Sequence, residues 1–278
     1  MAGQLRYPGK VVIVTGGTSG IGLATVREFV RQGANVVFCS KPSEAEVGQT
    51  IQRELQGSGC PGDACFEVCD VREETDIKRL IGATIERYGC LDCLVNNVGS
   101  GYAEKTDDIS AQKFRDLMEL NVVSVLLASK HALPYLRETK GNIVNLGCMS
   151  GVLGAKDAVS YSTSKGAVIA MTKTLAIDEI KYGVRVNCVS PGFVQTPMYE
   201  NYACQFPNPE VKMEEDKHCE ASVESKTEEA RSERSPRRAR QLGSSLLFAI
   251  QFVGSKKKVP LLSSSASYHA LQPNLAQD

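Results

Sequence analysis

Tyr161 and Lys165, four residues apart, carry the most pointed chemistry in the sequence. In the segment Tyr161-Ser162-Thr163-Ser164-Lys165, helical spacing puts the phenol and the ammonium on one face. A free tyrosine titrates at about 10, and a cation fixed within a few ångströms favours its phenolate. The pair therefore suits proton transfer near neutral pH, with Tyr161 as general acid or base and Lys165 tuning it. Such pairs also occur on ordinary helices, so the surrounding chain has to decide the matter.

A second group binds rather than reacts. Gly16-Gly17-Thr18-Ser19-Gly20-Ile21-Gly22 follows the β-branched run Lys10 to Thr15 and precedes the helical pattern Leu23 to Gln32. Residues without side chains let backbone N–H groups approach a pyrophosphate, and the helix N-terminus adds partial positive charge. Strand, glycine turn and helix together predict a dinucleotide site. The second strand, Asn35 to Cys39, ends eighteen residues past Gly22, where an NAD-type site places an acid for the adenosine ribose; here the chain has Ser40-Lys41. A hydroxyl and a cation suit a 2′-phosphate, so the cofactor is NAD or NADP with a lean to NADP(H), against which Glu44 and Glu46 weigh. The other reading of Lys41 is a surface turn.

These groups must be positioned by alternating strands and helices. Helical periodicity runs from Glu44 to Leu55 and from Thr75 to Tyr88; strands are expected at Ala64 to Cys69, Leu91 to Asn96 and Val184 to Val189, and Gly141 to Ser150 supplies another strand with its exit loop. The alternation predicts an α/β, Rossmann-type doubly wound parallel sheet of six strands, with ligands at the carboxyl ends of the strands. Asp70, followed by Val71, then lies over the adenine, and Asn97 to Gly99 beside the cofactor ribose. Gln112 to Leu136 reads as one long helical segment interrupted by the polar Asn121. A buried amide there needs partners. It either satisfies backbone groups or holds a water that relays protons to Lys165.

With 278 residues and 42% hydrophobic content, the chain can bury a full core. Lys plus Arg equals Asp plus Glu, 32 each, so no net field recruits nucleic acid or an anionic membrane. A small uncharged or amphipathic partner fits better. No apolar run reaches spanning length, no signal-peptide core opens the chain and Ala2 excludes myristoylation, which together predict a cytoplasmic protein. The ten cysteines are then reduced thiols used as small hydrophobes. Cys90-x-x-Cys93, with Cys65 and Cys69 upstream, has metal-like spacing, but the strand character of these stretches argues against a metal. His131, His218 and His269 are scattered.

Taken in order, Thr15-Gly16-x-x-x-Gly20-x-Gly22, Asn96-Asn97-Val98-Gly99, Tyr161-x-x-x-Lys165 and Pro191-Gly192 resemble the short-chain dehydrogenase/reductase family over residues 5 to about 205. Within it, Arg6 to Lys10, Ala132 to Leu136 and Tyr182 to Cys188 look most like the 17β-hydroxysteroid dehydrogenases. The resemblance implies hydride transfer between a nicotinamide cofactor and a hydrophobic secondary alcohol or ketone, for which a hydroxysteroid is one candidate. It makes Tyr161 the proton donor or acceptor, Lys165 its modulator and a ribose ligand, and Asn121 the water-holding member. Thr15, Gly16, Gly20, Ile21 and Gly22 take the pyrophosphate end; Thr196 meets the carboxamide, and Pro191 and Gly192 shape the wall beside the nicotinamide.

Departures from the family pattern are equally specific. The serine expected thirteen residues before the tyrosine is Cys148, a weaker donor, with Ser150 two residues on. Val98 stands where alanine is usual. The family continues into a substrate lid, another helix and a final strand, whereas composition here changes at Asn208. The expected division is a domain at 1–205 lacking its last strand and a charged, disordered tail at 206–278, including Arg234 to Arg240 and the short apolar run Leu246 to Val253. A family-like oligomer is not expected, and a nucleotide-binding isoform of little catalytic power is the alternative to an enzyme.

Overall fold

The computed structural model describes residues 5–215. Six strands, β1 (Val11–Thr15), β2 (Asn35–Ser40), β3 (Asp63–Val68), β4 (Cys93–Asn96), β5 (Asn142–Leu146) and β6 (Arg185–Val189), form one parallel sheet in the order β3-β2-β1-β4-β5-β6. β1 is buried along its whole length, which explains its unbroken β-branched sequence: both faces are covered. Val11 and Ile13 pack with Ile77, Leu80 and Ile81 of α3 (Glu74–Tyr88) and with Ala128, Ala132 and Leu136 of α5 (Ser124–Thr139). Val12 and Val14 pack on the other face with Val26, Phe29 and Val30 of α1 (Gly20–Arg31) and with Ile51 and Leu55 of α2 (Ala45–Gln56).

The chain reverses direction across the sheet between β1 and its neighbours β2 and β4, opening a crevice at the carboxyl ends. Register is continuous there: Val14 lies level with Phe38 and with Val95. A buried polar chain fixes the next strands. Asn96 Nδ2 donates to Asn145 Oδ1 at 2.9 Å and to Ser129 Oγ at 3.2 Å, and Asn145 Nδ2 donates to Thr172 Oγ1 at 2.9 Å. Thr172 lies on α7 (Val159–Glu179), so this network sets that helix against β4 and β5.

The long segment read as one helix has internal structure. It divides into α4 (Ala111–Met118), a π-helical turn Glu119–Val123 and α5, with Asn121 inside the turn. The largely apolar run Leu117 to Leu127, interrupted by Glu119, Asn121 and Ser124, conceals this widening, because hydropathy records burial and not hydrogen-bond register. Two short helices, α6 (Ser150–Leu153) and α8 (Pro197–Ala203), follow β5 and β6. Thr196 caps α8, its hydroxyl accepting from Tyr199 N at 3.3 Å.

Residues 209–215 are helical, so ordered backbone continues past the boundary expected at residue 205. The segments Arg234 to Arg240 and Leu246 to Val253, and His218 and His269, lie outside the described residues. Among the described residues β6 pairs with β5 alone. Among them, too, no helix is long and apolar enough to cross a membrane, no cluster suits a metal and nine cysteines are free thiols.

Candidate active site

α7 presents Tyr161 and Lys165 near the carboxyl ends of β4 and β5 because small residues let its neighbours close on it. A Cβ on Gly151 would lie 2.7 Å from Gly166 N and from Lys165 C, and one on Gly101 would lie 2.7 Å from Tyr161 Cδ2. Glycine at both places is a matter of close approach. Lys165 is buried, and its Nζ donates to Leu146 O at 2.8 Å. Burial pulls its ammonium below the usual lysine value, opposed by the Cys148 and Cys188 thiols.

Tyr161 departs from the sequence expectation. Burial, followed by the Cys148 thiol, raises its phenol well above 10 rather than lowering it. The reason is geometric: the Lys165 ammonium stands 5.8 Å from the ring centroid and is committed to the Leu146 carbonyl, while the Cys148 thiol adds to the effect of burial. Removing the phenol from water outweighs a cation so placed. Cys148 thus occupies the place beside Tyr161, and Ser150 Oγ is buried without a hydrogen-bond partner.

Asn121 is held by protein groups. Its Oδ1 accepts from Ser100 N at 2.9 Å, and its Nδ2 donates to Ser100 O at 2.8 Å and Ser164 Oγ at 2.9 Å. Both amide donors are used, so the side chain locks the loop after β4 onto α7. Ser164 Oγ in turn donates to Tyr161 O at 2.7 Å. Gly99 threads past this group: a Cβ there would lie 3.1 Å from Lys165 Nζ and 3.4 Å from Asn121 Oδ1.

The glycine turn has the conformation its composition requires. Gly16 and Gly20 have φ of 68° and 51°, in the left-handed region. A Cβ on Gly22 would fall 2.0 Å from Gly16 O. The turn is braced by Asn97, whose Nδ2 donates to Thr15 O and Gly16 O at 3.0 Å each, and by Thr15 Oγ1, which accepts from Asn97 N at 3.0 Å and Val98 N at 3.2 Å. Val98 packs under Gly16, where a Cβ would meet its Cγ2 at 3.0 Å. α1 begins here with no side-chain cap and no acid in its first turn. Its first N–H groups are left for an anion, which fits a pyrophosphate.

Around the turn, Ile21 packs partly into the core, and Thr196 Cγ2 lies 3.2 Å from the Cβ position of Gly20. Pro191, next to Gly192, accepts from Met149 N at 3.0 Å and so ties the end of β6 to the loop carrying Cys148. At the other side Ser40 Oγ donates to Glu44 Oε2 at 2.7 Å, and Lys41 Nζ stands 3.9 Å from Glu44 Oε1. Asp70 is gripped by Arg72, whose Nε and Nη2 lie 3.0 and 2.5 Å from its two oxygens and hold its carboxyl below the usual range. Val71 belongs to the hydrophobic core.

Sequence reading passed over Ser100, Ser164 and the Asn96–Asn145–Thr172 chain. Asn145 had a signal, being an amide between the apolar Val144 and Leu146 near the end of its strand; Ser100 and Ser164 had none, since serine is common in turns and on helices.

A parallel sheet ordered β3-β2-β1-β4-β5-β6, a braced glycine turn and a buried tyrosine–lysine pair define a nucleotide-binding oxidoreductase fold. The family model described as short chain dehydrogenase matches residues 10–205, and the chain belongs to that family and is an oxidoreductase. It is 48% identical over 216 residues to an L-fucose dehydrogenase of Bos taurus, covering 77% of each chain. An L-fucose dehydrogenase of Mus musculus is 46% identical over 210 residues, 75% of this chain and 74% of that one. Among solved structures, L-sorbose reductase from Gluconobacter frateurii, complexed with NADPH and L-sorbose, superposes with TM-score 0.68 at 27% identity over 72% of this chain and 76% of that one.

Proposed function

We propose that this chain transfers hydride between NAD(P)(H) and a secondary alcohol or its carbonyl product, with Tyr161 moving the accompanying proton. The observation that carries the reading is the convergence of Tyr161, packed against Gly101, with Lys165, packed against Gly99, and with the Cys148 thiol. A bound nicotinamide supplies or accepts the hydride. The protein's own groups do the rest. Tyr161, kept protonated by burial, donates to the substrate oxygen during reduction and takes the proton back during oxidation. Lys165 orients the ribose beside it and, through charge, eases loss of the phenolic proton. Asn121 fixes the loop and helix that carry these groups, with one Oδ1 lone pair left for a relaying water.

The glycine turn, with Thr15, Gly16, Gly20, Ile21 and Gly22, takes the pyrophosphate at the start of α1. Asp70 and the Val71 backbone border the adenine, Asn97 and Gly99 the ribose, and Pro191, Gly192 and Thr196 the nicotinamide. The functional unit we assign is residues 1–205, in the cytoplasm.

Two substrate classes compete. The runs at Arg6, Ala132 and Tyr182 favour a hydroxysteroid, as in 17β-hydroxysteroid dehydrogenase type 14, and exposed Val152, Leu153, Phe193 and Met198 give apolar surface near α6 and α8. The names of the mammalian relatives favour a sugar such as L-fucose. We place the sugar first, because nearly half of the aligned residues are shared with those relatives. Turnover of the full chain with L-fucose, other aldoses and a hydroxysteroid panel, in both cofactors, decides between them. Cofactor binding with no turnover of any of these would instead favour the binding-only reading that Cys148 motivates.

A further inference from the structure

The acid absent from the end of β2 in sequence is present there in space. The 3₁₀ turn Pro42–Glu44 brings Glu44 back so that its Oε2 accepts from Ser40 Oγ at 2.7 Å and also from Thr18 Oγ1. Thr18 belongs to the glycine turn, and its Oγ1 also lies 3.1 Å from Ser40 Oγ. Both hydroxyls are nearly fully buried, at 6% and 7% exposure, so the contact is built into the fold. The hydrogen bond from Thr18, ahead of that from Ser40, holds the Glu44 carboxyl below its ordinary value despite partial desolvation. At neutral pH this is a carboxylate.

One charge therefore joins the glycine turn to the end of β2. The two features that would attract a 2′-phosphate, the Ser40 hydroxyl and the Lys41 ammonium, are both turned toward Glu44. The nearby guanidinium of Arg72 is forked onto Asp70. Meanwhile the Glu44 side chain keeps 35% exposure, leaving lone pairs on Oε1 for a hydroxyl donor.

Resting on the dinucleotide reading above, we infer that Glu44 is the specificity-determining residue at the adenosine ribose and selects NAD(H) over NADP(H). A ribose hydroxyl donates to the carboxylate; a 2′-phosphate offers no such donor and brings like charge against it. Glu44 acts from four residues beyond the strand end, through Ser40 and Thr18, so the lean to NADP(H) drawn from Ser40-Lys41 reverses.

The test is fluorescence titration of the full-length protein with NADH and with NADPH. The expected result is tighter binding of NADH by at least about tenfold, the scale of one charge-assisted hydrogen bond. In Glu44→Gln, which keeps size and removes charge, the ratio should fall toward unity through improved NADPH binding. Equal or tighter NADPH binding by the wild-type protein overturns the inference, as does an unchanged ratio in Glu44→Gln. Competition against NADH serves if that variant fails to fold: 5′-ADP should displace it at least about tenfold better than 2′,5′-ADP, and the reverse order overturns the assignment. A cooperatively melting wild-type protein that binds neither dinucleotide would overturn the dinucleotide reading itself.

Discussion

The Cys148 thiol acts on the Tyr161 phenol in the same direction as burial, and together they hold that phenol protonated. A hydroxyl at the same place would be the stronger donor to a developing oxyanion. Cys148→Ser is therefore expected to raise kcat by about tenfold or more, a fraction of the 10²- to 10³-fold typical of losing an oxyanion donor. Steady-state kinetics in both directions check this. An unchanged rate would mean that Ser150, whose hydroxyl is buried and unpartnered, already supplies the bond.

Because the Tyr161 phenol is raised above 10, its acid form dominates at neutral pH and its base form grows with pH. Reduction should stay level in kcat/KM between about pH 6 and 9, while oxidation climbs roughly tenfold per pH unit. Tyr161→Phe should lose at least about 10²-fold in turnover while NADH titration stays close to wild type. An oxidation profile that levels off near pH 7 would show that Lys165 prevails over burial.

Gly22→Ala should abolish dinucleotide binding. The added Cβ would lie 2.0 Å from the Gly16 carbonyl, a backbone atom that yields only if the turn opens. Loss of the NADH signal, with the melting transition retained, is the expected outcome; unaltered affinity would place the pyrophosphate elsewhere.

Asn145→Leu removes the acceptor of Asn96 and the donor to Thr172 inside a closed core. Leaving buried amide and hydroxyl groups unpaired should cost about 2–4 kcal/mol, read from urea unfolding. A loss below about 0.5 kcal/mol would mean the network does not set α7 against the sheet.

Glu74 Oε1 meets His131 Nε2 at 2.6 Å and Lys78 Nζ at 3.3 Å, which lowers its carboxyl from 4.5 to about 2, His131 being the main cause. A depressed carboxyl adds stability that is present above 4.5 and is lost as pH falls toward 2. Glu74→Gln should lower Tm at pH 7 and match the wild type near pH 2. Parallel melting curves at both pH values would remove α3–α5 pairing as a contributor.

The Tyr161–Lys165 pair, the glycine turn and the parallel sheet were legible in sequence because each rests on local rules: helical spacing, left-handed glycines, and β-branched runs buried on both faces. Three things required the tertiary structure. The direction of the Tyr161 shift depends on how far the Lys165 ammonium lies from the ring and what else it bonds, which spacing along a helix does not specify. The π turn at Asn121 and its clasp on Ser100 and Ser164 join residues 21 and 43 positions apart. Glu44 reaches Thr18 across 26 residues, through a turn whose path no local pattern encodes. Local chemistry therefore named the groups that can react, and long-range packing set their charge states and partners, because electrostatics depends on distance in space and not along the chain.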